Sequence, residues 1–231
     1  MEILEKRAQT TEVMVNSFIQ SVYNWMAVGL GLTALVAFVV ASNMTLLKMM
    51  YSVRFLLIIG ELALVFILAG RIHKMEASTA TALFLFYSAL NGATLSVIFM
   101  VYTMSSIAST FFVCALTFTA CSIYGMVTKR DLTSVGGFMF MGLIGIIIAS
   151  LVNLFIQSSA MTMIISYLGV FIFIGLTAYD TQKIKAMALS QPAGLDAAVV
   201  RKGAIMGALT LYLDFINMFL FLLHILGGGR D

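Results

Sequence analysis

The stretch from Gly203 to Leu226, GAIMGALTLYLDFINMFLFLLHIL, decides how this chain is read. It is long enough to cross a bilayer, since about 20 apolar residues rising 1.5 Å each span roughly 30 Å of hydrocarbon. Asp214 sits near its middle. A carboxylate at that depth costs about 2.5–3.5 kcal/mol on insertion scales, so it faces protein or water rather than lipid. Winding the segment at about 100° per residue gathers Gly203, Gly207, Thr210, Asp214, Asn217 and His224 into one stripe, small at its start and polar further on. Small residues admit neighbouring helices and polar ones need partners inside a bundle. The stretch therefore reads as a helix that other helices surround.

The rest of the composition agrees with a membrane setting. Of 231 residues, 61% are hydrophobic and 10% charged, with a mean hydropathy of +1.06. A soluble domain would carry about 25% charged residues. The sequence specifies an all-α polytopic membrane protein, and no basic run suits nucleic acid. Seven spans are expected at 22–41, 53–70, 79–102, 107–127, 135–155, 162–180 and 204–226, making residues 22–226 one transmembrane domain. Residues 1–21 are polar and of mixed charge, and read as a cytoplasmic tail or interfacial helix rather than a cleaved signal or transit peptide. Residues 227–231 form a short external tail.

The connections are short except for a loop expected at 181–203, which holds the only proline, Pro192. No span can owe a kink to proline. Glycines inside the spans (Gly29, Gly31, Gly60, Gly92, Gly142, Gly145, Gly169 and Gly175) suit close helix packing in lipid.

Orientation follows from the basic residues. Lys6, Arg7, Arg71, Lys74, Lys129, Arg130, Lys183, Lys185, Arg201 and Lys202 fall on one side of the membrane, ten in all, against Lys48, Arg54 and Arg230 on the other. The positive-inside rule makes the larger group cytoplasmic, with the N-terminus inside and the C-terminus outside.

Cys114 and Cys121 are seven residues apart on one helix face, about 10 Å along the axis, which is too far for a disulfide. They read as buried structural thiols. Asn91 and Asn153 read as interhelical hydrogen-bonders, and His224 as a polar packing residue near the outer end of the last span.

Three acidic residues call for a mechanism. Asp214 lies about ten residues, or roughly 15 Å, from the cytoplasmic end of the seventh span. Asp180 ends the sixth span, and Glu61 lies at a similar depth in the second. All three suit one polar cavity entered from the cytoplasm. Plainer readings stand beside this one: Asp180 solvated at the interface or paired with Lys183, Glu61 in a structural ion pair with Arg54 or Arg71, and Asp214 in a structural hydrogen bond. Two carboxylates in one low-dielectric site do not both ionise easily and titrate as a pair, which makes a proton sensor without histidine. Their oxygens are also hard ligands that would bind Ca²⁺ weakly, and weak binding suits passage better than storage.

At these residues the sequence resembles the Bax inhibitor-1 family. The resemblance is carried by Ala178-Tyr179-Asp180-Thr181-Gln182-Lys183-Ile184 and Leu211-Tyr212-Leu213-Asp214-Phe215-Ile216-Asn217, and the hydrophobic layout matches beyond the tail. It implies six helices wrapped around a central C-terminal helix. It also implies a pH-regulated Ca²⁺ leak with Asp180 and Asp214 as the sensing pair, Arg71 as a latch onto Asp180, and Glu61 and Asn217 in support. Short tails suit a bacterial inner (plasma) membrane protein. The expected partners are the bilayer, Ca²⁺ and protons, with no cofactor.

A regulatory protein that binds a membrane protease or another membrane partner is the competing reading, with the N-terminal tail as its handle. A retinal-type receptor fails because the seventh span has no lysine for a Schiff base. No enzyme is expected, since neither a histidine-rich metal cluster nor a Ser/His pair is evident.

Overall fold

The computed structural model describes residues 2–192 and 195–228, with side chains from Val13 onward. The described residues form helices and no strand: α1 (Glu2–Ala41), α2 (Met44–Arg71), a 3₁₀ turn (Ile72–Lys74), α3 (Ala77–Leu95), the single turn α4 (Ile98–Val101), α5 (Met104–Val127), α6 (Thr133–Ile156), α7 (Ser159–Leu189) and α8 (Ala197–Leu226). Among them, seven segments are long and apolar enough to cross a membrane: Val13–Ala41, Met44–Lys74, Ala77–Val101, Met104–Val127, Thr133–Ile156, Ser159–Leu189 and Ala197–Leu226. This is the all-helical, seven-span class expected from hydropathy.

Short polar segments start and stop the helices. Asn43 caps α2, its Oδ1 accepting from the backbone N–H groups of Thr45 and Leu46 at 3.0 and 3.2 Å, which satisfies donors that a helix start leaves orphaned. Thr103 does the same for α5 by accepting from Ser106 N–H at 3.2 Å. Between α6 and α7 the chain reverses through Gln157 at φ 54°. Asn153 braces that reversal: its amide donates to Thr162 Oγ1 at 2.7 Å, and its Oδ1 accepts from Ser158 N–H at 3.0 Å. The helices expose large apolar side chains such as Phe66, Phe112 and Phe155. Around a span that is the hydrocarbon-facing side, where apolar surface needs no cover.

The described chain groups into two compact units, residues 1–101 with 186–212, and 102–185 with 213–231. In the first, α1 packs on α3 and α3 on α2. Gly92 makes the α1–α3 approach possible, because a Cβ there would lie 2.5 Å from the Thr33 carbonyl oxygen. In the second, α5, α6 and α7 approach through Gly125, Gly136 and Gly175. Not every glycine serves this purpose: Gly31 and Gly145 face open space. The α8 span is the most enclosed, with 56% of its most apolar window buried against 11% for that of α6.

Three sequence expectations need correction. The loop expected at 181–203 is shorter, because α7 runs on to Leu189 and α8 begins at Ala197. The chain leaves the helix at Ser190-Gln191-Pro192, where the proline ring disfavours helical backbone in the residue before it. Asn91 donates to Tyr87 Oη at 3.3 Å within its own helix, rather than across helices. Of the two thiols only Cys114 is fully buried; Cys121 is partly exposed, and both are free. Helix α1 begins at Glu2, so the segment read from sequence as a tail or interfacial helix is helical from Glu2 onward.

Candidate functional site

Asp180 stands inside α7, nine residues before its end at Leu189, and two packed surfaces fix it there. A Cβ on Gly125 would strike the Ala178 carbonyl oxygen and meet Thr181 Cβ at 3.0 Å, and one on Gly136 would strike the Tyr179 ring. The residues on both sides of Asp180 therefore lie directly on α5 and α6. The next turn is tied down by polar side chains. Gln182 Oε1 accepts from Leu132 N–H at 2.9 Å, and its Nε2 donates to the Arg130 carbonyl at 2.8 Å. Lys185 Nζ donates to the Met126 carbonyl at 2.6 Å, and Thr181 Oγ1 to Ser122 Oγ at 3.5 Å. Carbonyls at the end of α5 and in the turn after it have no helical partner of their own. Side chains of α7 fill that need and hold α7 in register.

Asp214 is held in a comparable way on α8. Its neighbour Phe215 packs edge-on against Phe111 and Phe118, with ring centroids 5.3 and 5.4 Å apart. The Cys114 thiol donates to the Phe215 carbonyl at 3.6 Å. Asp214 is only 4% exposed.

These constraints bring two sequence-predicted residues together in the second unit: the carboxyls of Asp180 and Asp214 lie close enough for a hydrogen bond between them. An ionised carboxylate only accepts hydrogen bonds, so such a bond exists only while the pair holds a proton. The other oxygen of Asp214, Oδ2, is buried without a partner among the described residues. A buried polar atom of that kind is an uncommon and costly feature.

The other predicted residues have different surroundings. Glu61, in the first unit, accepts a hydrogen bond from Thr94 Oγ1 at 2.5 Å. The ion pair considered with Arg54 is not its contact, since that guanidinium donates to the Tyr51 carbonyl at 2.8 Å and lies over the Tyr51 and Phe55 rings. Arg71 is exposed in the last turn of α2, also in the first unit. Asn217 is half-buried and donates to the Leu213 carbonyl one turn back in its own helix, at 2.8 Å. Lys183 is exposed, with its ammonium 6.0 Å from the centre of the Tyr179 ring. Among the described residues no three His, Cys, Asp or Glu side chains gather into a metal-binding group.

Sequence reasoning missed Gln182 and Lys185 as the residues that position Asp180. The signal was available for Gln182, which lies inside the motif around Asp180. Thr94 gave none, because a single threonine on another helix has no spacing relation to Glu61.

Comparisons with known proteins bear on the chain. The family model described as "Inhibitor of apoptosis-promoting Bax1" matches residues 15–231. A protein of Escherichia coli named "Inner membrane protein YbhL" is 51% identical over 219 residues, covering 94% of this chain and 93% of that protein. Uncharacterized proteins of Deinococcus radiodurans and Borreliella burgdorferi are 44% and 43% identical, covering 100% and 99% of this chain and 98% and 100% of their own lengths.

Proposed function

Since the chain belongs to the Bax inhibitor-1 family, we propose that it is a passive, proton-controlled Ca²⁺ leak of the bacterial inner membrane, with the Asp180–Asp214 pair as its gate. The close approach of those two carboxyls carries the reading. With its proton the pair is one bonded unit that joins α7 to α8 in the second unit. Without it, two like charges face each other in low dielectric, where their repulsion is strong. One proton thus converts an attraction into a repulsion, and the macroscopic titration belongs to the pair.

Ca²⁺ is the cargo. It takes six to eight oxygens, of which this pair supplies a minority, Oδ2 of Asp214 among them. Backbone carbonyls and water complete the shell, so occupancy is brief and the ion moves on. In this reading Arg71 has the role of a latch on Asp180, with Glu61 and Asn217 in support.

The inner-membrane assignment rests on the name of the Escherichia coli relative. The orientation, with the N-terminus inside, rests on the ten-to-three division of basic residues. No cofactor and no enzymatic step enter this reading. Purified protein in Ca²⁺-dye-loaded liposomes, assayed across a pH series, tests it. Flux above protein-free liposomes that changes with pH is expected; vesicles no leakier than empty ones at every pH overturn it.

A further inference from the structure

The helices α7 and α8 run antiparallel in the second unit, and their contacts fall into layers. Asp180 meets Asp214. Seven residues back along α7 and seven forward along α8, Phe173 meets Phe221 with ring centroids 6.0 Å apart. Seven residues are close to two full turns, about 10 Å of rise, so the phenyl layer stacks on the same seam as the carboxyl layer. Thr177 and Asn217 occupy the register position between them, and both satisfy themselves within their own helices, Thr177 Oγ1 on the Phe173 carbonyl and Asn217 Nδ2 on that of Leu213.

Beyond the phenyl layer lies a cavity of about 580 Å³ at the end of the unit where α6 turns into α7. It is an open cleft whose lining is largely apolar, with Leu154, Ile165, Leu220 and Phe221, and whose oxygens come from Ser150, Asn153, Thr162 and Ser166; His224 also lines it. Neutral hydroxyl and amide oxygens of this kind accommodate a hydrated cation without stripping its water. Phe221 is half-buried and seats its ring on the backbone of Gly169, where a Cβ would lie 2.5 Å from two ring carbons. Gly169 thus lets the ring lie across the seam, against the buried Phe173.

We propose that this cavity is a vestibule for hydrated divalent cations, and that the Phe221 ring, resting on Gly169 and Phe173, is an apolar constriction separating it from the carboxyl pair. A narrow apolar neck excludes water and therefore ions, and it opens when the ring swings away. The proposal rests on the leak reading for its cargo, but the barrier can be tested without flux.

Membranes bearing chains in which Cys114 and Cys121 are replaced by alanine are treated with a positively charged, membrane-impermeant thiol reagent on whichever face labels His224→Cys. Asn217→Cys, beyond the ring, is expected to label slowly from that face. Adding Phe221→Ala raises its rate about tenfold or more, as removal of an apolar gate predicts, while His224→Cys labels equally in both backgrounds. Phe221→Leu, a smaller apolar plug, gives an intermediate rate and decides the matter if the alanine variant does not fold. Equal labelling of Asn217→Cys with and without the phenyl ring, fast or slow, overturns the constriction. Ca²⁺ flux in liposomes is read separately: no flux from the wild type sinks the leak reading alone, and flux unchanged by Phe221→Ala sinks the constriction alone.

Discussion

The hydroxyls of Thr33 and Tyr212 stand 2.6 Å apart in the first unit, joining α1 to α8 two residues before Asp214. Thr33 Oγ1 is also 2.9 Å from the Gly29 carbonyl and 2.8 Å from that of Ser88. A threonine has one hydroxyl proton to give. With two carbonyls competing for it, Tyr212 is the donor in the hydroxyl pair. The Tyr212 ring is itself clasped edge-on by Phe84 and Tyr87, at 5.9 and 5.7 Å, so the side chain has little freedom.

That arrangement predicts a measurable coupling. Tyr212→Phe and Thr33→Val each lower stability in detergent by about 0.5–1.5 kcal/mol, the range for one hydrogen bond inside a helical membrane protein. The double variant costs little more than the larger single one, since both remove the same contact. Additive losses in thermal unfolding would mean that the two hydroxyls do not depend on each other.

Close approach between α1 and α3 gives a second contrast. A Cβ at Gly92 would sit 2.5 Å from the Thr33 carbonyl oxygen and 2.9 Å from Val36 Cβ, whereas one at Gly31 meets nothing within 4 Å. Backbone cannot swing aside as a flexible side chain can. Gly92→Ala is expected to destabilise by about 1–3 kcal/mol, while Gly31→Ala is neutral or gains up to about 1 kcal/mol from helix propensity. Matching melting temperatures for the two variants would contradict the α1–α3 packing.

Orientation is checked with reporters. The ten-to-three basic split predicts that a reporter fused after Asp231 is external and one placed in the loop after Ser190 is cytoplasmic. Both on the same side would remove α8 as a full crossing, and with it the depth assigned to Asp214.

The proposed latch yields a kinetic prediction. Arg71→Ala is expected to raise basal Ca²⁺ flux several-fold, because one bidentate ion pair represents about 1–3 kcal/mol. The response to pH shifts rather than vanishes, since the carboxyl pair remains. Flux equal to wild type at every pH would leave Arg71 as an anchor of orientation only.

How much of this was legible in the sequence depended on what each residue contrasts with. Asp214 was conspicuous because a carboxylate in an apolar span has no inexpensive alternative, and the paired motifs pointed to Asp180. The extent of α7 was not legible. Gln182, Lys183 and Lys185 depress hydropathy as a loop does, yet Gln182 and Lys185 spend their polarity on carbonyls and an N–H next to α5 and α6. Glu61 looked like half of an ion pair because charge spacing can be read along a helix, whereas its hydroxyl partner Thr94 lies on another. Phe173 and Phe221 were two among 18 phenylalanines, and only the register set by the carboxyl pair singles them out.

Asp214→Asn is the decisive substitution for the gate. Asparagine keeps the size of the side chain and can donate from its amide, so it can still bond Asp180 but needs no proton from solution to do so. The pair then no longer alternates between one bonded unit and two repelling charges. Ca²⁺ flux should therefore lose its dependence on pH across the range where wild type changes. Folding and insertion should be at least as good as in wild type, because an acid whose Oδ2 is buried without a partner among the described residues has been removed and such a group is costly at that depth. Asp180→Asn is expected to flatten the same profile, and the double variant to add little, since the two side chains act as one unit. Restoring an acid of different reach, Asp214→Glu, should return a pH response, displaced but present, because a shared proton is again possible. A well-folded Asp214→Asn protein whose flux still follows the wild-type pH profile would sink the shared-proton gate and leave Asp214 as a packing residue of α8.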